Sequence, residues 1–173
     1  MSTIFAGGSR SITRLPAEAA RRISNIMANK HHVIVGDAGG ADTAIQRCLL
    51  DAAYDNVEVF CSGPRFRNNL GSWATHHIQT ARETTGFQFY AAKDRAMAET
   101  AGFGLMIWDG KSPGTILNIL RLLRGKRPAV LISPAHISQT FKLFEDWQTF
   151  LGTCRPQLVH ALKQRAAANE WVS

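Results

Sequence analysis

Several features that mark whole classes of protein are missing from this 173-residue sequence. Its cysteines, Cys48, Cys61 and Cys154, form no CxxC pair, so reduced core thiols are expected rather than a disulfide framework. No apolar run reaches the roughly 18–20 residues of a membrane span. The first residues contain no basic region followed by a long apolar segment, which a secretory signal requires. These absences predict a cytoplasmic protein with no membrane partner.

Familiar cofactor motifs are missing as well. Neither the GxGxxG fingerprint nor the P-loop pattern GxxxxGK[ST] is present, which disfavours ordinary NAD binding and Walker-type hydrolysis. The doublets at 31–32 and 76–77 place their histidines on different sides of a helix or strand. Neither a metal site nor a cofactor is therefore expected. The net charge of +7 is spread along the chain without an RNP-type or zinc-finger pattern, so nucleic-acid binding is a secondary alternative.

The most informative stretch of the sequence is residues 103–123, which has the pattern of a strand, a turn and a helix in succession. Its apolar beginning, from Phe103 to Trp108, predicts a buried strand. The turn-forming residues DGKSPG follow at 109–114, and the segment from Thr115 to Arg124 has the apolar periodicity of a helix. In α/β folds this succession leaves unpaired backbone N–H groups at the helix N-terminus, where the helix dipole also favours negative charge. The stretch therefore predicts a phosphate-binding site.

Other segments repeat the alternation of strand and helix. Further strands are predicted at residues 3–6, 32–35, 57–61, 87–91 and 128–133. Helices are predicted from about 15 and 41, and over 73–84, 93–100, 138–151 and 157–168. The pattern predicts one α/β domain, a three-layer Rossmann-like fold whose mostly parallel sheet has about six strands and helices on both faces. Residues 138–173 are expected to form a C-terminal helical extension that packs on the sheet edge or against a second copy in a homodimer.

Loops that follow parallel strands meet at one edge of the sheet, where ligands bind near the switch in strand order. Arg10 and Arg67 suit an anion, and Asp37 suits a ribose hydroxyl or a polarised water. Asp42 is assigned to the first turn of a helix, where a carboxylate stabilises the dipole. The pair Lys93-Asp94 is either a helix N-cap or part of the site. Candidate acids or bases are Asp37, Asp94 and Asp109. Candidate ligand-binding residues are Gly8, Ser9, Arg10, Gly36, Asp37, Gly39, Gly40, Arg67, Asn68, Lys93, Asp109, Gly110, Ser112, Gly114, Thr115 and Asn118.

Four short segments follow one another along these loops: GGSR at 7–10, GDAGGAD at 36–42, KDRAM at 93–97 and WDGKSPGT at 108–115. Together they resemble the SLOG superfamily of Rossmann-like proteins, named for its Smf/DprA and LOG members. The sequence is most similar to a compact bacterial group that also carries RNN, here at 67–69, and TILNIL, here at 115–120. The resemblance, over roughly residues 3–133, implies a sensor or binding module for a nucleotide, a nucleoside derivative or a related phosphorylated ligand. It also implies two alternatives, an N-glycoside hydrolase or transferase and a DprA-like single-stranded DNA-binding protein.

One departure from the family pattern bears on catalysis. LOG-type phosphoribohydrolases carry PGGxGTxxE, whose glutamate is needed for cleavage of the glycosidic bond. The corresponding segment here is DGKSPGTILN, which places Asn118 in the glutamate position. An amide can hydrogen-bond a ribose but cannot serve as a general base at neutral pH. The departure favours binding over LOG-type hydrolysis, unless another carboxylate of the edge loops replaces the glutamate.

Overall fold

In the computed structural model, which describes residues 1–133, 135 and 137–171, seven strands form one sheet. The strands are β1 (Thr3–Gly8), β2 (His32–Gly36), β3 (Val57–Ser62), β4 (Ala74–Ile78), β5 (Phe103–Ile107), β6 (Ala129–Ile132) and β7 (Ser138–Phe141). The helices are α1 (Ala17–Ala28), α2 (Ala41–Asp51), α3 (Gly86–Thr100), α4 (Pro113–Arg124), α5 (Phe144–Thr153) and α6 (Pro156–Arg165). The strand order is β4-β3-β2-β1-β5-β6-β7, and every pair except β6–β7 is parallel. The three-layer Rossmann-like fold is confirmed, with seven strands instead of about six.

Apolar side chains project from both faces of the sheet, as the nearly continuous apolar sequences of its strands predict. On β1, Phe5 joins the core cluster formed with α3, α4, α5 and α6, whereas Ile4 and Ala6 join the cluster formed with α1 and α2. This alternation is the period of a strand buried on both faces, which is typical of parallel sheets covered by helices. Among the described residues, no helix combines the length and the apolar character that crossing a membrane requires.

Two neighbouring segments differ from their predictions. Residues 73–84, predicted as a helix, contain strand β4, which pairs with β3 in parallel. Residues 87–91, predicted as a strand, lie inside α3, so Lys93 and Asp94 are mid-helix residues rather than part of a strand-end loop or a helix cap. The edge strand β4 is polar and partly exposed, so it carries no apolar signal, and backbone pairing with β3 decides its conformation.

The C-terminal extension also departs from the prediction. Residues 138–151 were expected to form one helix, but Ser138–Phe141 is strand β7, antiparallel to β6, and α5 begins at Phe144. Asp146 accepts hydrogen bonds from the backbone N–H groups of Lys142 and Leu143, at 2.7 and 2.9 Å, and so fixes the start of α5. The extension is therefore a strand followed by two helices, and its last helix, α6, agrees with the prediction.

The strand order reverses at β1, which lies between β2 and β5. The loops that follow β1 and β5 consequently leave a crevice at the carboxyl edge of the sheet, where ligands of open α/β folds bind. Gly8 ends β1 at this point, and a Cβ there would overlap the carbonyl oxygen of Ile107 and the side chain of Ala41. The glycine thus lets β5 and α2 approach the end of β1 closely enough to wall the crevice.

Candidate functional site

A cavity of about 440 Å³ opens at this switch in strand order. Its walls come from the loop after β1, the N-terminal turns of α2 and α4, and the side of α3 that faces the sheet edge. Arg165, at the end of α6, lies on its rim. Volumes of this order accommodate small-molecule ligands, so the cavity is the candidate site.

The N-terminus of α4 forms one wall. Pro113 is the first helical residue and has no N–H, while the next two residues, Gly114 and Thr115, have no carbonyl within the helix to receive their N–H groups. A side chain at Gly114 would first meet the ring of Phe87, 3.7 Å from its Cβ, so the space in front of the helix end is open. The hydroxyl of Ser9, a residue that is 2% exposed, lies 2.9 Å from the hydroxyl of Thr115. This wall is polar and favours an anion.

A cluster of three charged side chains forms the floor of the cavity. The ammonium Nζ of Lys93, a residue that is 4% exposed, lies 2.6 Å from Oδ1 of Asp94 and 3.7 Å from Oδ2 of Asp42. Burial alone would lower the pKa of Lys93, but the two carboxylates outweigh it and hold the pKa above its ordinary value. For Asp42, burial is the larger effect and raises the pKa to about 6, against the attraction of Lys93. One ammonium therefore lies beside two carboxylates, and the Asp42 carboxyl, with its pKa of about 6, is about half protonated at pH 6.

A chain of polar contacts runs from Asp94 to the C-terminal segment. Asn118 donates from Nδ2 to Oδ2 of Asp94 at 3.5 Å, and its Oδ1 accepts a hydrogen bond from Arg121 at 2.7 Å. The buried Arg121 also donates to Glu170 at 2.7 Å, and Arg95 donates to the same carboxylate at 2.6 Å. Because Arg121 engages the amide oxygen, the amide nitrogen of Asn118 is turned toward Asp94 and the cavity.

Two arginines stand at the rim. The guanidinium of Arg10 lies over the ring of Tyr90, 5.1 Å from its centroid, and that of Arg165 lies over Phe87 at 5.0 Å. Within the part of the chain that the structure describes, neither guanidinium pairs with a carboxylate. Both remain available to an anion, because stacking on an aromatic face leaves the N–H donors at the edge of the guanidinium free.

Asp37, a candidate for both catalysis and binding, forms an ion pair with Arg67 outside the cavity. Its carboxylate accepts hydrogen bonds from the backbone N–H, Nε and Nη2 of Arg67, at 2.9, 3.1 and 2.7 Å. Burial would raise its pKa, but these bonds outweigh burial and hold the pKa below its ordinary value. Asn68 donates to the Asp37 carbonyl at 3.0 Å. These three residues tie the loop after β3 to the loop after β2, outside the cavity of 440 Å³.

Asp109 is likewise occupied by its own loop. It accepts hydrogen bonds from the hydroxyls of Ser11 and Ser112, both at 2.7 Å, and from the backbone N–H groups of Lys111 and Ser112 at 2.8 and 2.7 Å. Burial opposes ionisation, but these hydrogen bonds hold the pKa of Asp109 far below its ordinary value. Its carboxylate therefore shapes the turn before α4 and does not reach the cavity.

The predicted residues divide accordingly. Those on the cavity wall are Gly8, Ser9, Arg10, Lys93, Asp94, Ser112, Gly114, Thr115 and Asn118. Those outside it are Gly36, Asp37, Gly39, Gly40, Arg67, Asn68, Asp109 and Gly110. Gly36 nevertheless supports the floor, since a Cβ there would overlap the Asp42 carboxylate and come within 2.6 Å of the Lys93 ammonium.

Ten residues of the wall were not predicted, among them Asp42, Phe87, Tyr90 and Arg165. Phe87, Tyr90 and Asp94 recur at helical spacing, a signal that the prediction of a strand at 87–91 concealed. Asp42 was assigned to the helix dipole alone, although it also faces Lys93. Nothing local in the sequence connects Arg165 with the site, because packing of α6 against α4 and the hydrogen bond from Gln88 of α3 to the Arg165 carbonyl bring it there.

The cavity therefore combines a helix N-terminus, two guanidinium groups with no carboxylate partner among the described residues, aromatic rings and a carboxylate beside an amide. Among residues 1–133, 135 and 137–171, no group of three or more His, Cys, Asp or Glu side chains is arranged to hold a metal ion. No protein-family model matches the chain, and no curated protein matches its sequence.

Proposed function

We propose that this protein binds a nucleotide or a nucleotide-derived phosphorylated ligand in the cavity at the carboxyl edge of the sheet, as a sensor or binding module. One observation carries the proposal. The open N-terminus of α4 and two rim arginines, which pair with no carboxylate in the described ranges, line the same cavity. A helix N-terminus and arginine are the two protein groups best suited to phosphate.

Each part of such a ligand has a complementary wall. The phosphate lies before the N–H groups of Gly114 and Thr115. Ribose hydroxyls donate to the Asp94 carboxylate and accept from the Asn118 amide, which lie side by side on the wall. The base packs against the aromatic part of the wall that α3 contributes, where Phe87 and Tyr90 line the cavity. Asp94 thus takes the ribose-binding role expected of Asp37, whose carboxylate Arg67 occupies.

Membership of the SLOG superfamily is part of the same proposal. Two of the four sequence elements behind that resemblance, GGSR and WDGKSPGT, border the cavity at its phosphate-binding wall. KDRAM supplies Lys93 and Asp94 from α3, and GDAGGAD supplies Asp42 from α2. All four elements therefore contribute to one site, which supports a shared binding function.

Replacing Gly114 with aspartate is expected to weaken nucleotide binding by about 10- to 100-fold, measured by isothermal titration against a panel of nucleotides. The new carboxylate repels the phosphate and occupies the open space in front of Phe87. Stability is expected to change little, since an acidic residue in the first turn of a helix is favourable. Gly152→Asp is the matched control, because a Cβ added at this position of α5 would meet nothing within 4 Å apart from the adjacent residues and the backbone of its own helix.

The two parts of the proposal fail separately. Unchanged affinity in Gly114→Asp would show that the ligand binds elsewhere on the protein. Absence of binding by the unmodified protein to every nucleotide in the panel would refute the nucleotide-binding function itself. Thermal denaturation of the same samples verifies that the variant and the control are folded.

A second candidate, an N-glycoside hydrolase or transferase acting on a nucleotide, is favoured by one contact. The Asp94 carboxylate lies 3.5 Å from Asn118, so α3 supplies a carboxylate next to the position where LOG-type enzymes keep their glutamate on α4. A carboxylate there would stabilise the oxocarbenium-like state of glycosidic cleavage. Asp42, with its pKa raised by burial to about 6, would hold a proton for the departing base.

For this second candidate, Asp94→Asn is expected to lower the rate of base release by about 100-fold, because the amide cannot stabilise the developing positive charge. Chromatography of free base released from nucleoside monophosphates measures the rate. Asp51→Asn, at the exposed far end of α2, is the control. A rate in Asp94→Asn equal to that of the control would eliminate this mechanism.

A further inference from the structure

The two rim arginines are arranged as a pair. Their supporting rings, Phe87 and Tyr90, are three residues apart on α3 and therefore lie on one face of the helix, about one turn apart. Both arginines line the same cavity although they come from distant parts of the chain. The rings thus hold two positive charges, neither paired with a carboxylate in the part of the chain that the structure describes, at the mouth of the site.

Each arginine adjoins a different part of the phosphate-binding wall. Phe87, which supports Arg165, is also the first side chain that a Cβ at Gly114 would meet, so Arg165 lies beside the N-terminus of α4. Arg10 directly follows Ser9, whose hydroxyl contacts Thr115 in the first turn of α4. Both guanidinium groups therefore lie on the cavity wall near the start of α4.

The distribution of charge orients a ligand in the cavity. Its floor holds one ammonium between two carboxylates, whereas its rim holds two guanidinium groups that have no carboxylate partner among the described residues. A neutral, hydroxyl-bearing end of a ligand suits the floor, and an end with more than one negative charge suits the rim.

We propose that the ligand is of the nucleoside 5′-diphosphate class, with two consecutive phosphates at the mouth of the cavity, and that Arg165 of the C-terminal segment contacts them directly. This inference rests on the proposed nucleotide-binding function and specifies its ligand. A single phosphate before Gly114 leaves one guanidinium without an anion, whereas two phosphates engage both.

The C-terminal segment is held so that Arg165 stays at the mouth. Gln88 of α3 donates to the Arg165 carbonyl at 3.1 Å, and Glu170 accepts hydrogen bonds from Arg95 of α3 and Arg121 of α4. Glu170 also accepts the backbone N–H of Ala167 at 2.8 Å, which closes the turn after α6. These contacts make Glu170 a positioning residue for Arg165.

The test compares the nucleosides, 5′-monophosphates and 5′-diphosphates of the four RNA bases by isothermal titration. For the base that binds best, the unmodified protein is expected to bind the diphosphate at least about tenfold more tightly than the monophosphate, because a charge-assisted hydrogen bond is added. Arg165→Ala is expected to remove most of that ratio while changing the monophosphate affinity less than about threefold. Arg165→Lys is expected to restore part of the ratio, since lysine keeps the charge without the fork.

Arg155→Ala, at the other end of α6, removes the same charge away from the cavity and is expected to preserve the ratio. Equal affinities for monophosphate and diphosphate, or an unchanged ratio in Arg165→Ala, would overturn this inference while the proposed function stands. Suppose that Gly114→Asp loses monophosphate binding but Arg165→Ala keeps the ratio of diphosphate to monophosphate affinity. The proposed binding site would then stand, and only the role of Arg165 would be refuted. If no monophosphate or diphosphate binds at all, both the proposed function and this inference fall.

Discussion

Lys93→Met is expected to lower the free energy of unfolding at pH 7 by about 3–5 kcal/mol, the range for breaking a buried ion pair by removing one partner. Methionine preserves much of the apolar stem but leaves Asp42 and Asp94 without the ammonium that lies between them. Two neighbouring carboxylates in a largely buried floor then repel each other and lack a counter-charge. Chemical denaturation, followed by circular dichroism, measures the difference.

The same substitution has a predictable pH dependence. Burial already raises the pKa of Asp42 to about 6 with Lys93 present, and removal of the ammonium raises that pKa further. A group with a raised folded-state pKa binds a proton more tightly when folded, so the variant gains stability as the pH falls through that pKa. We therefore expect the destabilisation to be smaller at pH 5 than at pH 7.

Two further variants make this prediction specific. Adding Asp42→Asn to Lys93→Met removes one uncompensated carboxylate and is expected to recover part of the lost stability at pH 7. Lys142→Met, at an exposed lysine, is expected to change stability by no more than about 0.5 kcal/mol. Equal destabilisation at pH 5 and pH 7, with no recovery in the double variant, would contradict the proposed charge arrangement.

Glu170→Gln is expected to lower the free energy of unfolding at pH 7 by about 3 kcal/mol. Burial alone would raise the pKa of Glu170, but the hydrogen bonds from Arg121 and Arg95 lower the pKa from 4.5 to about 2. At about 1.4 kcal/mol for each pKa unit, this lowering corresponds to about 3 kcal/mol of stabilisation at neutral pH. The amide keeps the size of the side chain but leaves two arginines, one of them buried, without their carboxylate.

The pH dependence of this variant has the opposite cause from that of Lys93→Met, because the pKa of Glu170 is lowered in the folded state whereas that of Asp42 is raised. Because the folded-state pKa of Glu170 is lowered, its stabilisation is complete above the unfolded value of 4.5 and is lost as the pH falls toward about 2. The gap between Glu170→Gln and the unmodified protein should therefore be constant from pH 8 to about pH 5.5 and narrow below it. Glu145→Gln, an exposed acid of α5, serves as the control, and a gap that does not narrow in acid would refute the pairing.

Asp42 differs from Asp37 and Asp109 because its ionised form costs stability. Burial raises its pKa to about 6, so at neutral pH the folded protein carries a charge that its surroundings disfavour. Asp37 and Asp109, in contrast, have pKa values held below the ordinary value by hydrogen bonds that stabilise their loops. Carboxylates with raised pKa values on a cavity wall are typical of functional sites, which supports a role for Asp42 in the proposed activities.

The sequence was most informative where apolar runs were long and turn chemistry was distinctive. Strands β1, β2, β3 and β5 and helix α4 lie close to their predicted positions, because buried parallel strands and an amphipathic helix carry strong periodic signals. The arrangement of glycine-rich loops at one sheet edge follows from the same alternation. The α4 N-terminus therefore faces the cavity as the turn DGKSPG had indicated.

Elements whose side chains satisfy partners far away in sequence were predicted least well. Strand β4 is polar and depends on β3, strand β7 depends on β6, and the aromatic residues at the start of α3 favour a strand locally although they face a cavity as a helix. Short segments of this kind have weak preferences of their own, so packing and backbone pairing decide their conformation.

The chemistry of the site divides in the same way. Local sequence places Lys93 next to Asp94 and Gly114 next to Thr115, and it fixes which residue types reach the helix ends. Whether those groups are free to bind a ligand depends on long-range partners: Arg67 occupies Asp37, Ser11 helps to occupy Asp109, and Asp42 shares Lys93 with Asp94. Ion pairs and hydrogen bonds are interactions across space, so folding alone brought Asp42 and Arg165 to the cavity and withdrew Asp37 from it.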